Sequence, residues 1–243
     1  MPRITVYSLG PILAFFLFFS GSNAGTIGMQ AARFDPPVPT APDLVCRHYA
    51  SQAERMHRIP GDLLRAISAI ETGRWDPETK RSYPWPWTVT SGKRHWYLNT
   101  KKAAIAKVKK LVAGGVSNID VGCMQINLYY HSQEFNDLEA AFDPSANMDY
   151  AARYLKRLHG ETRSWRRAVG RYHSSTPQRS RTYRNKVYRI FRVERRLGAI
   201  ERRVAAKERY RRWRAEKDEE RTLKLEQAKV SASHPKLPTR TPG

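Results

Sequence analysis

Between Gly61 and Gly73 runs Leu63-Leu64-Arg65-Ala66-Ile67-Ser68-Ala69-Ile70-Glu71-Thr72, an apolar helical stripe that ends on a carboxylate. Leu64, Ile67 and Glu71 are spaced by three and four, so they share one helix face, with Leu63 and Ile70 beside it. Pro60 or Gly61 stands near the start of this helix and Gly73 closes it. A carboxylate on an apolar face costs several kcal/mol unless it is paired or protonated. In the last turn the helix dipole disfavours it further. Both effects raise its pKa, which prepares a carboxyl to act as a general acid near neutral pH. The structural alternative is a glutamate at a frayed helix end, bonded to Arg74.

Outward from this helix, helical periodicity dominates. Upstream, Leu44, Val45, Tyr49, Ala53 and Met56 predict a helix from Asp43 to about Arg58. Downstream, Trp85, Trp87 and Val89 alternate and Ser91-Gly92 can turn the chain, which predicts a hairpin or aromatic-rich loop within Tyr83 to Leu98. Thr100 is placed to cap a helix carrying Ile105, Val108, Leu111 and Val112, closed by Gly114-Gly115. A short extended piece is expected around Ile119 to Val121. Tyr150, Ala151, Tyr154, Leu155 and Leu158 mark another amphipathic helix, and Trp165 to Tyr172 a further one. The expected fold is therefore mainly α with a small hairpin, followed by a long basic C-terminal helix.

The ends of the chain differ from its middle. Arg3 followed by the apolar run Pro11 to Phe19, with Ser22-Asn23-Ala24 behind it, predicts a cleaved signal peptide over 1–24 and a periplasmic location. The run is about half the roughly 20 residues that a membrane span requires. A proline-rich linker follows over 25–42, then a domain over 43–190, then a basic helix and a polar, disordered tail over 191–243. Lys and Arg number 44 against 22 Asp and Glu, a formal net charge of +22. Between Gly160 and Arg214 the 19 cations exceed the 4 glutamates by 15, so a polyanionic partner is expected. Val187, Ile190, Phe191, Leu197, Ile200 and Val204 keep helical spacing there, and the stripe is expected to pack inward. Cys46 and Cys123 lack the grouped spacing of a zinc site. Export favours a bond between them over two buried free thiols. No metal or cofactor is expected.

Three short motifs add chemistry. Ile70-Glu71-Thr72, then Asp120-Val121-Gly122-Cys123-Met124-Gln125-Ile126-Asn127, then Gly170-Arg171-Tyr172-His173 occur in an order that resembles the lytic transglycosylases of the goose-type lysozyme-like superfamily. Ala141-Phe142-Asp143-Pro144 with Asn147 and Tyr150-Ala151-Ala152 resembles the stretch between the last two motifs. The resemblance covers about Leu44 to Tyr188. It implies a lysozyme-like α+β domain that cuts the MurNAc-GlcNAc bond of peptidoglycan with a single carboxyl, leaving 1,6-anhydro-muramic ends. Glu71 takes the catalytic position. Met124 and Gln125 line the cleft, and Tyr172 hydrogen-bonds near the carboxyl or the sugar. Thr72 stands where the family has serine and keeps a hydroxyl for the substrate. His173 stands where it has asparagine. Cys123 replaces leucine, as in a subgroup with a disulfide to the first helix. Trp85 and Trp87 are placed either to stack on sugars or to pack a core, and Asp120 is a second nearby acid more suited to ordering its turn.

Other readings use the same residues differently. A catalytically inactive peptidoglycan-binding scaffold is suggested by the departures at Thr72 and His173. A muramidase would use water where the sugar's own hydroxyl attacks. A nucleic-acid binder would rest on the basic segment, but export argues against it. Peptidoglycan is the expected partner, with an envelope-spanning assembly as a candidate second one and the basic segment raising wall affinity.

Overall fold

The computed structural model describes residues 41–78 and 80–233. The expected signal peptide, the linker up to residue 40 and the stretch 234–243 lie outside the described residues. Helix α1, Pro42–His57, starts on the last proline of the linker, whose missing N–H costs nothing at a first turn, and ends at Arg58 in the left-handed region. Helix α2, Leu63–Thr72, buries Leu63, Leu64, Ala66 and Ile67. Its N-terminus is capped from another helix: the buried Glu54 carboxylate of α1 accepts from the amides of Asp62, Leu64 and Arg65 at 2.7, 2.7 and 3.3 Å. Burial pushes Glu54 up to about 7 while those three amides pull it back.

Gly73 ends α2 as expected, but the chain turns directly into a hairpin that the sequence did not announce. Strand β1, Gly73–Asp76, pairs antiparallel with β2, Arg81–Pro84. A Cβ on Gly73 would lie 2.5 Å from the Ala69 carbonyl oxygen, so the abrupt exit requires glycine. The expected hairpin is narrower than Tyr83 to Leu98. Strand β3, Thr88–Ser91, pairs with β4, Arg94–Tyr97, around Gly92 at φ +60°. The other edge of β3 pairs with β5, Asp120–Val121, and β5 with β6, Ile126–Asn127, giving the sheet order β4-β3-β5-β6. Helix α3, Lys101–Ala113, is capped by the Thr100 hydroxyl accepting from the Ala103 amide at 3.1 Å. It packs Ala104, Ile105 and Val108 on Val89, Ile119, Val121 and Phe142 in a small core behind this sheet.

After the short helices α4, Leu128–His131, and α5, Leu138–Ala141, the helices α6, Pro144–Thr162, and α7, Trp165–His173, join α1 and α2 around the main core. Helix α8 then runs from Pro177 to Ser233, 57 residues, or roughly 85 Å at 1.5 Å per residue. Tyr183 and Val187 enter the main core, with Ile190 and Phe191 packed against it.

The inward stripe expected through Val204 stops earlier. Ile200 and Val204 are 58% and 55% exposed. The last close approach is at Gly198, where a Cβ would meet the Asp62 carboxylate at 2.3 Å. From Glu194 onward the helix is also held by charge. Arg47 binds Glu194 at 2.5 Å and Glu201 at 2.8 Å, Arg65 binds Glu201 at 2.6 Å, and Arg202 binds the buried Asp62 at 3.1 Å. From residue 203 to 233 almost every side chain is exposed. No described helix is long and apolar enough to cross a membrane.

Candidate active site

Helix α2 presents Glu71 to a cleft of about 780 Å³ whose walls include Asp120, Gln125, Asn127, Tyr154, Tyr172 and His173. The segments that supply these residues lie far apart in sequence and are fastened by a specific set of bonds. Cys46 on α1 is disulfide-bonded to Cys123, with both residues fully buried. The Cys123 carbonyl accepts from the Ser68 hydroxyl at 2.9 Å and from the Thr72 hydroxyl at 3.3 Å, so two residues of α2 grip the motif turn directly. The Tyr172 hydroxyl donates to the Met124 carbonyl at 3.0 Å and ties α7 to the same turn.

The turn itself depends on Gly122 and Asn147. Gly122 sits at φ +78°, and a Cβ there would fall 2.4 Å from the Asn147 amide nitrogen. Fully buried Asn147 fills that space. Its amide donates to the Val121 and Ala141 carbonyls at 3.1 and 3.0 Å, and its oxygen accepts from the Met124 amide at 2.9 Å. Gln125 follows at φ 48° and its amide donates to the Gly122 and Thr88 carbonyls at 3.1 and 3.3 Å, which fixes its position at the cleft wall.

Of the residues singled out from sequence, Glu71, Gln125, Tyr172 and His173 meet at the cleft. Thr72 and Met124 do not. Both are fully buried, the Thr72 hydroxyl is engaged by the Ser68 and Cys123 carbonyls, and Met124 belongs to the main core. The substrate contacts expected of these two are replaced by internal ones, because their side chains fall on the faces where α2 and the turn meet. Tyr172 also differs from expectation, since its hydroxyl bonds the Met124 carbonyl. Trp85 donates its indole N–H to the Leu98 carbonyl at 2.6 Å and lies under the Arg74 guanidinium, while Trp87 packs on the smaller core. Neither borders the cleft.

The group that does touch Glu71 comes from the basic helix. The Tyr183 hydroxyl donates to Glu71 Oε1 at 2.5 Å. His173 stacks on the Tyr183 ring with centroids 4.5 Å apart and planes 4° from parallel, so the histidine braces the tyrosine that braces the glutamate. Sequence reasoning missed Tyr183, although a signal existed: it stands four residues before Val187 and extends the apolar stripe by one turn into an arginine-rich run. Tyr154, on the apolar stripe of α6, also borders the cleft beside Tyr172.

The electrostatics follow from burial. Desolvation pushes Glu71 up to about 7, the Tyr183 hydrogen bond opposes this, and the Asp120 carboxylate adds to it. Asp120 is itself raised by burial, although the Asn127 amide bonds it at 2.8 Å and stabilises its charge. Tyr172 and Tyr183 are pushed well above the phenol range, by burial and then by Glu71, and remain neutral donors. Burial first, then Lys186 and Arg179, hold His173 below the usual imidazole value. Among the described residues no group of three or more His, Cys, Asp or Glu side chains is arranged to hold a metal ion.

Residues 48–189, more than half of the chain, match the family described as Transglycosylase SLT domain. No curated protein and no solved structure matches the chain.

Proposed function

This chain belongs to the transglycosylase SLT domain family, lysozyme-like lytic transglycosylases that act on peptidoglycan, and we propose on that premise that it cuts the MurNAc-GlcNAc bond with Glu71 as its single acid and base. The observation that carries this reading is the Glu71 carboxyl at the cleft, buried enough to be raised to about 7. Tyr183 occupies Oε1 as a donor, so the proton of the acid form resides on Oε2. Oε2 would give that proton to the glycosidic oxygen as the bond to the muramic anomeric carbon breaks. As carboxylate, Glu71 would then take the proton of the same sugar's C6 hydroxyl, whose oxygen closes on the anomeric carbon. One proton enters and one returns, and no water is consumed. Intramolecular attack gains effective concentration, which removes the need for a nucleophilic second carboxylate.

Two expected results test this chemistry. Muropeptides released from purified wall should carry 1,6-anhydro ends, lighter by one water than reducing ends; mass spectra showing only reducing ends would make the protein a muramidase. The second test is the pH profile. The first step needs Glu71 protonated in the free enzyme, and its folded pKa lies near 7. The ratio kcat/KM should therefore fall as pH rises through about 7, and the limb should move to lower pH in Asp120→Asn, because removing the neighbouring negative charge lowers the Glu71 pKa. A limb near the ordinary carboxylate range, unmoved by Asp120→Asn, contradicts this assignment. A folded wild-type chain that releases no muropeptides from purified wall would make the inactive scaffold the better reading.

A further inference from the structure

The distal part of α8 sorts its side chains by chemistry around the helix. From Arg192 to Arg214 there are ten cations and three carboxylates. The three acids, Glu194, Glu201 and Glu208, recur every seven residues and so share one line along the helix. That line faces the domain, since Glu194 and Glu201 bind Arg47 and Arg65. At 100° per residue, the opposite half of the helix contains no acid at all.

That outward half mixes exposed apolar groups with cations. Ile200, Tyr210 and Trp213 lie there and are 58%, 57% and 53% exposed, whereas the exposed Val193 and Val204 fall toward the acidic side. Tyr210 and Trp213 lie one turn apart with ring centroids at 5.8 Å. Arg203, Lys207 and Arg214 project between the aliphatic and aromatic groups on this half. Among the described residues, the ion pairs that fasten this segment to the domain run through Glu194, Glu201 and Arg202, and Ile200, Tyr210 and Trp213 belong to neither hydrophobic core.

We propose that the outward face of α8 between Arg192 and Arg214 lies on an anionic lipid surface, with Tyr210 and Trp213 at the headgroup level and the arginines on lipid phosphates. Charge selects an anionic partner and disfavours a second copy of the same face, which would bring like charges together. Charge alone would fit the wall or a nucleic acid equally well. The apolar groups separate the cases: hydrated carboxylates and phosphodiesters offer Ile200 nothing, whereas a bilayer interface accepts an aliphatic group, seats Tyr210 and Trp213 together by their amphipathic rings and lets arginine stems extend to its phosphates. Binding there would hold the cleft, which borders the first turns of the same helix, close to a membrane while it works on the wall. This inference is independent of the chemistry assigned to Glu71.

The test uses the full chain and local readouts. Hydrogen exchange of the amides from 192 to 214 should slow on adding phosphatidylglycerol vesicles and not on adding phosphatidylcholine vesicles. The double variant Tyr210→Ala/Trp213→Ala should weaken the vesicle affinity measured by this protection about tenfold. Arg203→Gln, Lys207→Gln and Arg214→Gln should each cost about fivefold. All forms share residues 1–40, so any contribution from the apolar run near the N-terminus is common to them. Helix content by circular dichroism should match the wild type, which separates lost binding from lost folding. Protection that is absent, that persists unchanged in the aromatic double variant, or that appears only with purified wall or nucleic acid overturns the proposal.

Discussion

Glu71→Gln is expected to lower muropeptide release from purified wall by about 10²- to 10⁴-fold, the range associated with loss of a general acid or base. The substitution preserves the shape of the side chain and its acceptor oxygen, so the Tyr183 hydroxyl keeps a partner and the core around α2 is undisturbed. A half-buried carboxyl is also exchanged for a neutral amide, which removes the desolvation cost that raises the Glu71 pKa. Thermal stability should therefore hold or increase slightly while activity collapses. Asp120→Asn should retain most activity at pH values below its lowered Glu71 limb, because its carboxylate is engaged by Asn127 and acts on Glu71 only through its charge. A folded Glu71→Gln protein with substantial activity, or an Asp120→Asn protein as inactive as Glu71→Gln, would sink the single-carboxyl assignment.

The second large effect concerns the bond between Cys46 and Cys123. The two residues are 77 positions apart, and a cross-link closing a loop of that size stabilises by about 4 kcal/mol in the chain-entropy account. The double variant Cys46→Ser/Cys123→Ser should therefore melt on the order of 10 °C lower. Activity should fall as well, because Cys123 lies in the turn that sets Gln125 at the cleft and receives the Ser68 and Thr72 hydroxyls from the helix carrying Glu71. Thiol labelling of the unreduced, denatured protein should find no free cysteine. Unchanged melting in the double variant would show that the turn is held by Asn147, Ser68 and Thr72 without the bridge.

The parts of the site that were legible in sequence are those where one residue type is required by local physics. Glu71 on an apolar stripe announces an unusual carboxyl because burial of charge is costly wherever the helix is placed. Gly73 marks the end of α2, since glycine tolerates the backbone exit that other residues resist. Thr100 announces a helix start through its own hydroxyl, and its cap is observed. Thr72, by contrast, has a hydroxyl that fits either a substrate or a protein carbonyl. Its sequence context is the same in both cases, and only the approach of the Cys123 carbonyl decides between them. Glu54 was silent for a related reason: its role is to cap α2 from α1, and the partners are amides that any sequence possesses.

The mainly helical architecture, the carboxylate on the apolar stripe at the end of α2, the order of the motifs and the excess of positive charge toward the C-terminus were all legible in the sequence. These depend on periodicity, residue type and composition, which are properties of neighbours along the chain. Tertiary contacts were needed to establish that Tyr183 from the basic helix donates to Glu71, that Thr72 and Met124 turn inward, and that apolar packing of α8 gives way between Glu194 and Arg202 to ion pairs with Arg47, Arg65 and Asp62. A helical stripe states which side chains share a face. It does not state how far the neighbouring helix extends, and where α2 begins, at Leu63, the surface available to α8 ends, leaving Ile200 and Val204 in solvent.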